Sequence, residues 1–185
     1  MLFIALLVPH FVVCAQISSN FTILDSLTRI AAERICAVAG NNTTITVKEH
    51  NAAWLLRTRL AESCTNFRLS QSDTASCVVG FTMFGIQYER LPDATDSLRR
   101  TCKVAVAGTY IRTDGISASL SSNMYSYRDT IGASDVATAE FGGYDFTRAA
   151  VPPAPSSLFY DIIEPFTIIT TAALTVLLLF SVRSQ

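Results

Sequence analysis

The chain has 185 residues, with 14 basic and 15 acidic side chains and a formal net charge of −1 at pH 7. That balance and the lack of a basic run argue against nucleic acid or an acidic membrane surface as a main partner. Half of the residues are hydrophobic, and the longest apolar runs stand at the two ends.

Residues Met1 to Ala15 form a short apolar run closing on Val13-Cys14-Ala15, the small-residue pattern of a signal cleavage site. Fifteen residues fall short of the roughly 20 that span a bilayer. The expectation is therefore a signal peptide over 1–15, cleaved after Ala15, rather than an uncleaved membrane helix. Phe166 to Val182 carries no charge, Asp161 and Glu164 precede it, and Arg183, Ser184 and Gln185 follow. This predicts a transmembrane helix over 166–182, a cytosolic tail over 183–185 and a lumenal or extracellular domain over 16–148. Thr167, Thr171 and Thr175 share one face of that helix. They can pack against another membrane helix or bond back to their own backbone. Ser156-Ser157, a spacer and an apolar tail also fit a lipid-anchor (GPI) signal, the alternative to a spanning helix. Pro152, Pro153 and Pro155 make 149–165 an extended stalk.

Removing signal and anchor leaves about 150 residues, enough for one domain with its own core. Thr22 to Val38 has helical spacing through Leu24, Leu27, Ala31, Ile35 and Val38, with Thr22 and Asp25 resembling a capping box and Gly40 a stop. Thr43-Ile45-Val47 alternates as a short strand. Ala52 to Cys64 returns to helical spacing, with Trp54 and Leu55 expected to fill the core. Thr65 to Ser76 reads as a loop. Cys77 to Tyr88 is β-prone and uncharged; its Val78–Ile86 stretch suits a buried strand, with a membrane-inserting loop as the other reading. Asp93 and Asp96 read as turn or helix-start residues. Cys102 to Arg112 is a second strand, Thr113-Asp114-Gly115 a turn, and Ile116 to Leu120 the return of a hairpin. Ser121 to Arg148 is irregular or holds a weak strand over Asn123–Tyr127. The fold class is α+β: N-terminal helices, a small disulfide-stabilised antiparallel sheet and one C-terminal transmembrane helix.

Cys36, Cys64, Cys77 and Cys102 lie in the predicted ectodomain, where an oxidising compartment implies two disulfides. Local pairing, Cys36–Cys64 and Cys77–Cys102, closes the shorter loops; a bond to a partner chain is the alternative. Asn20, Asn41 and Asn42 each begin an Asn-X-Ser/Thr acceptor, and the last two overlap, so that pair should carry one glycan. No cysteine pair has zinc spacing and His50 is the only histidine after the signal, which argues against a metal site or cofactor. His50 beside Glu49 reads as solvated surface. With no Gly-X-Ser-X-Gly turn and no phosphate loop, no catalytic residue is assigned and the chain reads as a non-enzyme. Tyr125, Tyr127, Phe141, Tyr144 and Phe146 stand among Gly, Ser and Asp, as at many binding surfaces, or pack a loop-rich region.

The layout of signal, sequons, cysteines and an anchor with almost no tail resembles the short type I envelope glycoproteins of enveloped RNA viruses, nearest the minor glycoproteins of arteriviruses. The resemblance covers architecture along the whole chain and no alignable motif. It implies a glycoprotein of the secretory-pathway membrane, cell surface or virion envelope. Such a protein joins other envelope glycoproteins in a heteromeric spike, or meets a host receptor, for attachment and entry. An immune-modulating viral membrane glycoprotein shares the layout, and an anchored lumenal enzyme or folding factor is the reading from another class.

Overall fold

The computed structural model describes residues 17–39, 43–65, 67–70, 75–92, 94–112 and 114–154. The predicted signal peptide, transmembrane run and tail, the stalk beyond Ala154, Asn41 and Asn42 lie outside the described residues. Among the described residues no helix is long and apolar enough to cross a membrane.

Helix α1 spans Asn20–Ala39. It begins two residues earlier than the apolar spacing suggests, because Ser19 Oγ accepts the Thr22 N–H at 3.1 Å and caps the first turn. Asp25 does not close a box with Thr22. It takes the Arg59 guanidinium of α2 (Ala53–Ser63), with Nε to Oδ1 at 2.6 Å. The Cys36–Cys64 disulfide ties the same two helices further along, at a Cα separation of 5.3 Å. Both helices turn their apolar residues inward, with Leu24 and Ile35 from α1 and Leu56 and Leu60 from α2 fully buried. Each such aliphatic side chain contributes about 1.5–3 kcal/mol when it leaves water.

The sheet beneath them has five strands in the order β2-β1-β3-β4-β5: β1 (Thr44–Val47), β2 (Arg68–Leu69), β3 (Cys77–Leu91), β4 (Ala94–Ile111) and β5 (Ser117–Gly132). It is mixed rather than wholly antiparallel. β1 runs parallel to β2 and β3, and β3, β4 and β5 form a long antiparallel meander. The meander absorbs segments expected to be irregular. Asp96 lies within β4, and β5 continues well past Leu120, because from Asn123 to Gly132 its residues find cross-strand partners: Leu98 opposite Ile131, Arg100 opposite Asp129. The Val78–Ile86 stretch is part of β3. A bulge between Phe81 and Met83 keeps Phe81 and Phe84 on one face. Gly108 is confined by its neighbour strand, since a Cβ there would lie 2.2 Å from the Val78 carbonyl oxygen.

The expected Cys77–Cys102 bridge does not form: both are buried free thiols. Cys77 faces Tyr110 and Cys102 faces Ile86. The nine residues from Cys77 to Ile86 separate them by on the order of 25–30 Å, against the roughly 7 Å limit for a disulfide. Burial pushes each thiol up to about 11.

α1 lies across β4 and β5, and α2 sits beside it toward β1. A second, smaller core at the far end of the meander joins Tyr88, Leu98, Ile131 and the short helix α3 (Val136–Ala139). Between the two cores Arg100 is wholly buried. It holds Asp129 with Nε to Oδ1 at 2.9 Å, and one terminal nitrogen donates to Asn20 Oδ1 and to the Ser18 carbonyl. This ionic clamp fastens the start of α1 to the sheet.

Candidate interaction surface

Seven aromatic rings form one continuous run along the flank where α1 meets α2. Phe21, in the first turn of α1, stacks on Trp54, in the first turn of α2, at 6.3 Å, and on Tyr144 at 5.5 Å. Trp54 also meets Tyr144 at 5.5 Å. Tyr144 stacks on Phe146 at 5.1 Å, which meets Phe84 edge-on at 5.3 Å. Phe84 touches Phe81 at 4.6 Å, and His50 packs against Phe81 at 5.2 Å and Phe84 at 5.8 Å. Offset and edge-on ring pairs add about 0.5–1.5 kcal/mol beyond the area they bury, so the run is held in one arrangement.

Local structure aims each ring. The links Phe21–Trp54, Asp25–Arg59 and Cys36–Cys64 follow the same order along α1 and α2, so the helices lie side by side and their first turns meet. A 3-10 turn over Asp145–Thr147 presents Phe146 to β3. His50 starts α2: its carbonyl accepts the Ala53 N–H at 2.9 Å and its Nδ1 accepts the Ala52 N–H at 3.1 Å. The ring therefore braces the turn that leads into α2 as well as making aromatic contacts.

The run is rooted in the core yet opens to solvent. Trp54, expected to fill the core, is 39% exposed, whereas its neighbour Leu55 is buried. Tyr144 is 40% exposed. Beside them Phe141 is 82% exposed. Gly142 and Gly143, with φ of +150° and +77°, turn the chain there. Phe141 forms the lip between two shallow grooves of about 670 and 780 Å³, one beside Ile17 and Thr22, the other beside Glu140 and Arg148.

The sequence-derived aromatic set is thus divided. Tyr144 and Phe146 belong to the run and Phe141 to its rim. Tyr125 and Tyr127 lie on β5, and among the described residues no ring contact joins them to the others. Phe21, Trp54, Phe81 and Phe84 were not part of the aromatic set expected from sequence; Trp54 was expected in the core, and Phe81 and Phe84 in the Val78–Ile86 strand. The Cys36–Cys64 pair joins the C-terminal ends of the two helices, and nothing in the sequence signalled that their first turns meet.

Asn20 is fully buried and its amide is committed within the fold, donating to the Tyr88 hydroxyl and the Thr147 carbonyl, both at 2.8 Å. No protein-family model matches the chain, and no curated protein is significantly similar to it.

Proposed function

We propose that this chain is a single-pass type I membrane glycoprotein whose ectodomain binds a partner protein through the Phe21–Trp54–Tyr144 surface. The partner is another envelope glycoprotein in a heteromeric viral spike serving attachment and entry. The observation that carries the binding role is the half-exposure of Trp54 and Tyr144 within a rigid aromatic run, with Phe141 projecting at its rim. Large aromatics at the centre of an interface, anchored from below, are the side chains that dominate binding energy when a partner covers them. Their ring contacts fix them before binding, so little side-chain freedom is lost on association. The membrane and viral parts of the reading rest on the apolar ends and on the architectural resemblance.

The test is co-expression of the full chain with the other envelope glycoproteins of the same genome, followed by co-purification in mild detergent. Trp54→Ala with Tyr144→Ala should reduce recovery of the partner by about thirtyfold or more, the equivalent of 2 kcal/mol. Surface display should be unchanged. Ile116→Ala, at an exposed site in the β4–β5 turn, should leave capture intact. Undiminished capture by the double variant would show that the aromatic run is not the binding surface.

A further inference from the structure

The two edges of the sheet are finished differently. One ends in β2, two residues long, which leaves little backbone to pair with anything else. The other ends in β5, sixteen residues long, which among the described residues has a neighbour only on its β4 side. From Asn123 to Gly132 the pairing with β4 runs without a register shift, so the outer row of N–H and C=O groups is equally regular. Devices that blunt an open edge are proline, lysine, bulges and short strands. This stretch contains no proline and no lysine, and the irregularity of β5 lies before it; its two charges are Arg128 and Asp129, and Asp129 is taken up by Arg100. Toward its middle the stretch exposes side chains on both faces: Met124 is 60% accessible on one, and Tyr127 is exposed on the other.

Helix α1 adds a second observation. Asp25 and Cys36 mark its side toward α2. At 100° per residue, Ile30 stands about 120–140° from both, on the flank turned toward the β5 edge. There it is 43% exposed. Among the described residues an exposed isoleucine thus overlooks an unpaired strand edge, on the opposite flank of α1 from the aromatic run.

We propose that β5 pairs antiparallel with β5 of a second copy about a two-fold axis at Ser126, joining two five-stranded sheets into one of ten strands. A two-fold interface must be complementary to itself; the charges of β5 exclude some registers, and the pairing of its two tyrosines selects among the rest. An axis on Arg128 or on Asp129 would set like charges face to face, which is unfavourable. With the axis on Ser126, Asp129 faces Asn123 of the second copy, Arg128 lies over Met124, and Tyr125 faces Tyr127 in both directions. Paired residues on one face come within roughly 4.5–5.5 Å at Cβ, close enough for the tyrosine rings to stack. Because α1 lies across β4 and β5, the two α1 helices then approach across the axis with their Ile30 flanks facing.

The experiment uses the full chain in detergent. Ser126→Cys places two thiols on the axis, and mild oxidation should convert most of the protein into a disulfide-linked dimer. Thr130→Cys should not cross-link, since its two copies stand eight residues apart along the paired strands, roughly 26 Å. In parallel, light scattering corrected for detergent should give the mass of two wild-type chains. Ser126→Lys, which opposes two ammonium groups on the axis, should give the mass of one chain with the Cys36–Cys64 bond formed and the melting temperature unchanged. A single-chain mass for the wild type overturns the proposal. So does cross-linking at Thr130→Cys but not at Ser126→Cys, or capture of a different protein by Ser126→Cys.

Discussion

The Asn20 amide donates to the Tyr88 hydroxyl at 2.8 Å, although the two stand 68 positions apart in the chain. Its other hydrogen goes to the Thr147 carbonyl, and its oxygen accepts from Arg100. A glycan would replace one of those hydrogens at a fully buried nitrogen. Peptide mapping of the folded protein should therefore find Asn20 unmodified. Thr22→Ala, which destroys the acceptor pattern without touching the amide, should leave the glycan mass unchanged. Any mass shift should disappear with Asn41→Gln and Asn42→Gln combined. A glycan at Asn20 in folded protein would contradict this packing.

Removing Arg100 should be among the most damaging single changes. Its buried guanidinium is paired with Asp129 and also bonds Asn20 and the Ser18 carbonyl. Breaking one member of a buried ion pair costs about 3–5 kcal/mol. Arg100→Ala should lower the denaturation midpoint accordingly. It should also speed hydrogen exchange at the start of α1 before the rest of the chain, since that turn loses its fastening to the sheet.

Cys77 and Cys102 give a pH signature. Burial raises both thiols from 9.0 to about 11. Between those values the unfolded chain loses its thiol protons while the folded one keeps them. The stability these groups contribute is therefore full below pH 9 and declines as pH rises toward 11. The melting temperature should fall across that window, and Cys77→Ala with Cys102→Ala should make the fall shallower. Neither thiol should react with a maleimide until the protein unfolds. By contrast, converting Cys36 and Cys64 to alanine releases a closed loop spanning 28 positions and should cost about 3–4 kcal/mol.

Two glycines in the meander should respond in opposite ways. At Gly85 an added Cβ meets nothing within 4 Å, so Gly85→Ala should stabilise by roughly 0.4–1 kcal/mol through the unfolded chain. At Gly108 the same atom would collide with the Val78 carbonyl, and Gly108→Ala should disrupt the β3–β4 register. Chemical denaturation of the two variants side by side measures the contrast.

The local periodicities are what the sequence by itself determined. Leu24, Leu27, Ala31 and Ile35 recur every three or four residues and mark the buried face of α1, because a helix closes its hydrogen bonds within one turn. The apolar run after Cys77 was legible as a strand, and the short loop from Cys36 to Cys64 suggested their pairing. What depended on register was decided only by the tertiary structure. β5 is a polar segment made into a strand by its pairing with β4, and strand propensity yields to such neighbours. Cys77 and Cys102 lie on paired strands yet far apart along them. Asn20 has the pattern of a surface acceptor, and Trp54 the apolar character of a core residue. The fold reverses both, because Arg100, Tyr88 and Thr147 converge on the first, while Phe21 and Tyr144 meet the second at the surface. Burial depends on which distant segments arrive, and no local spacing encodes that.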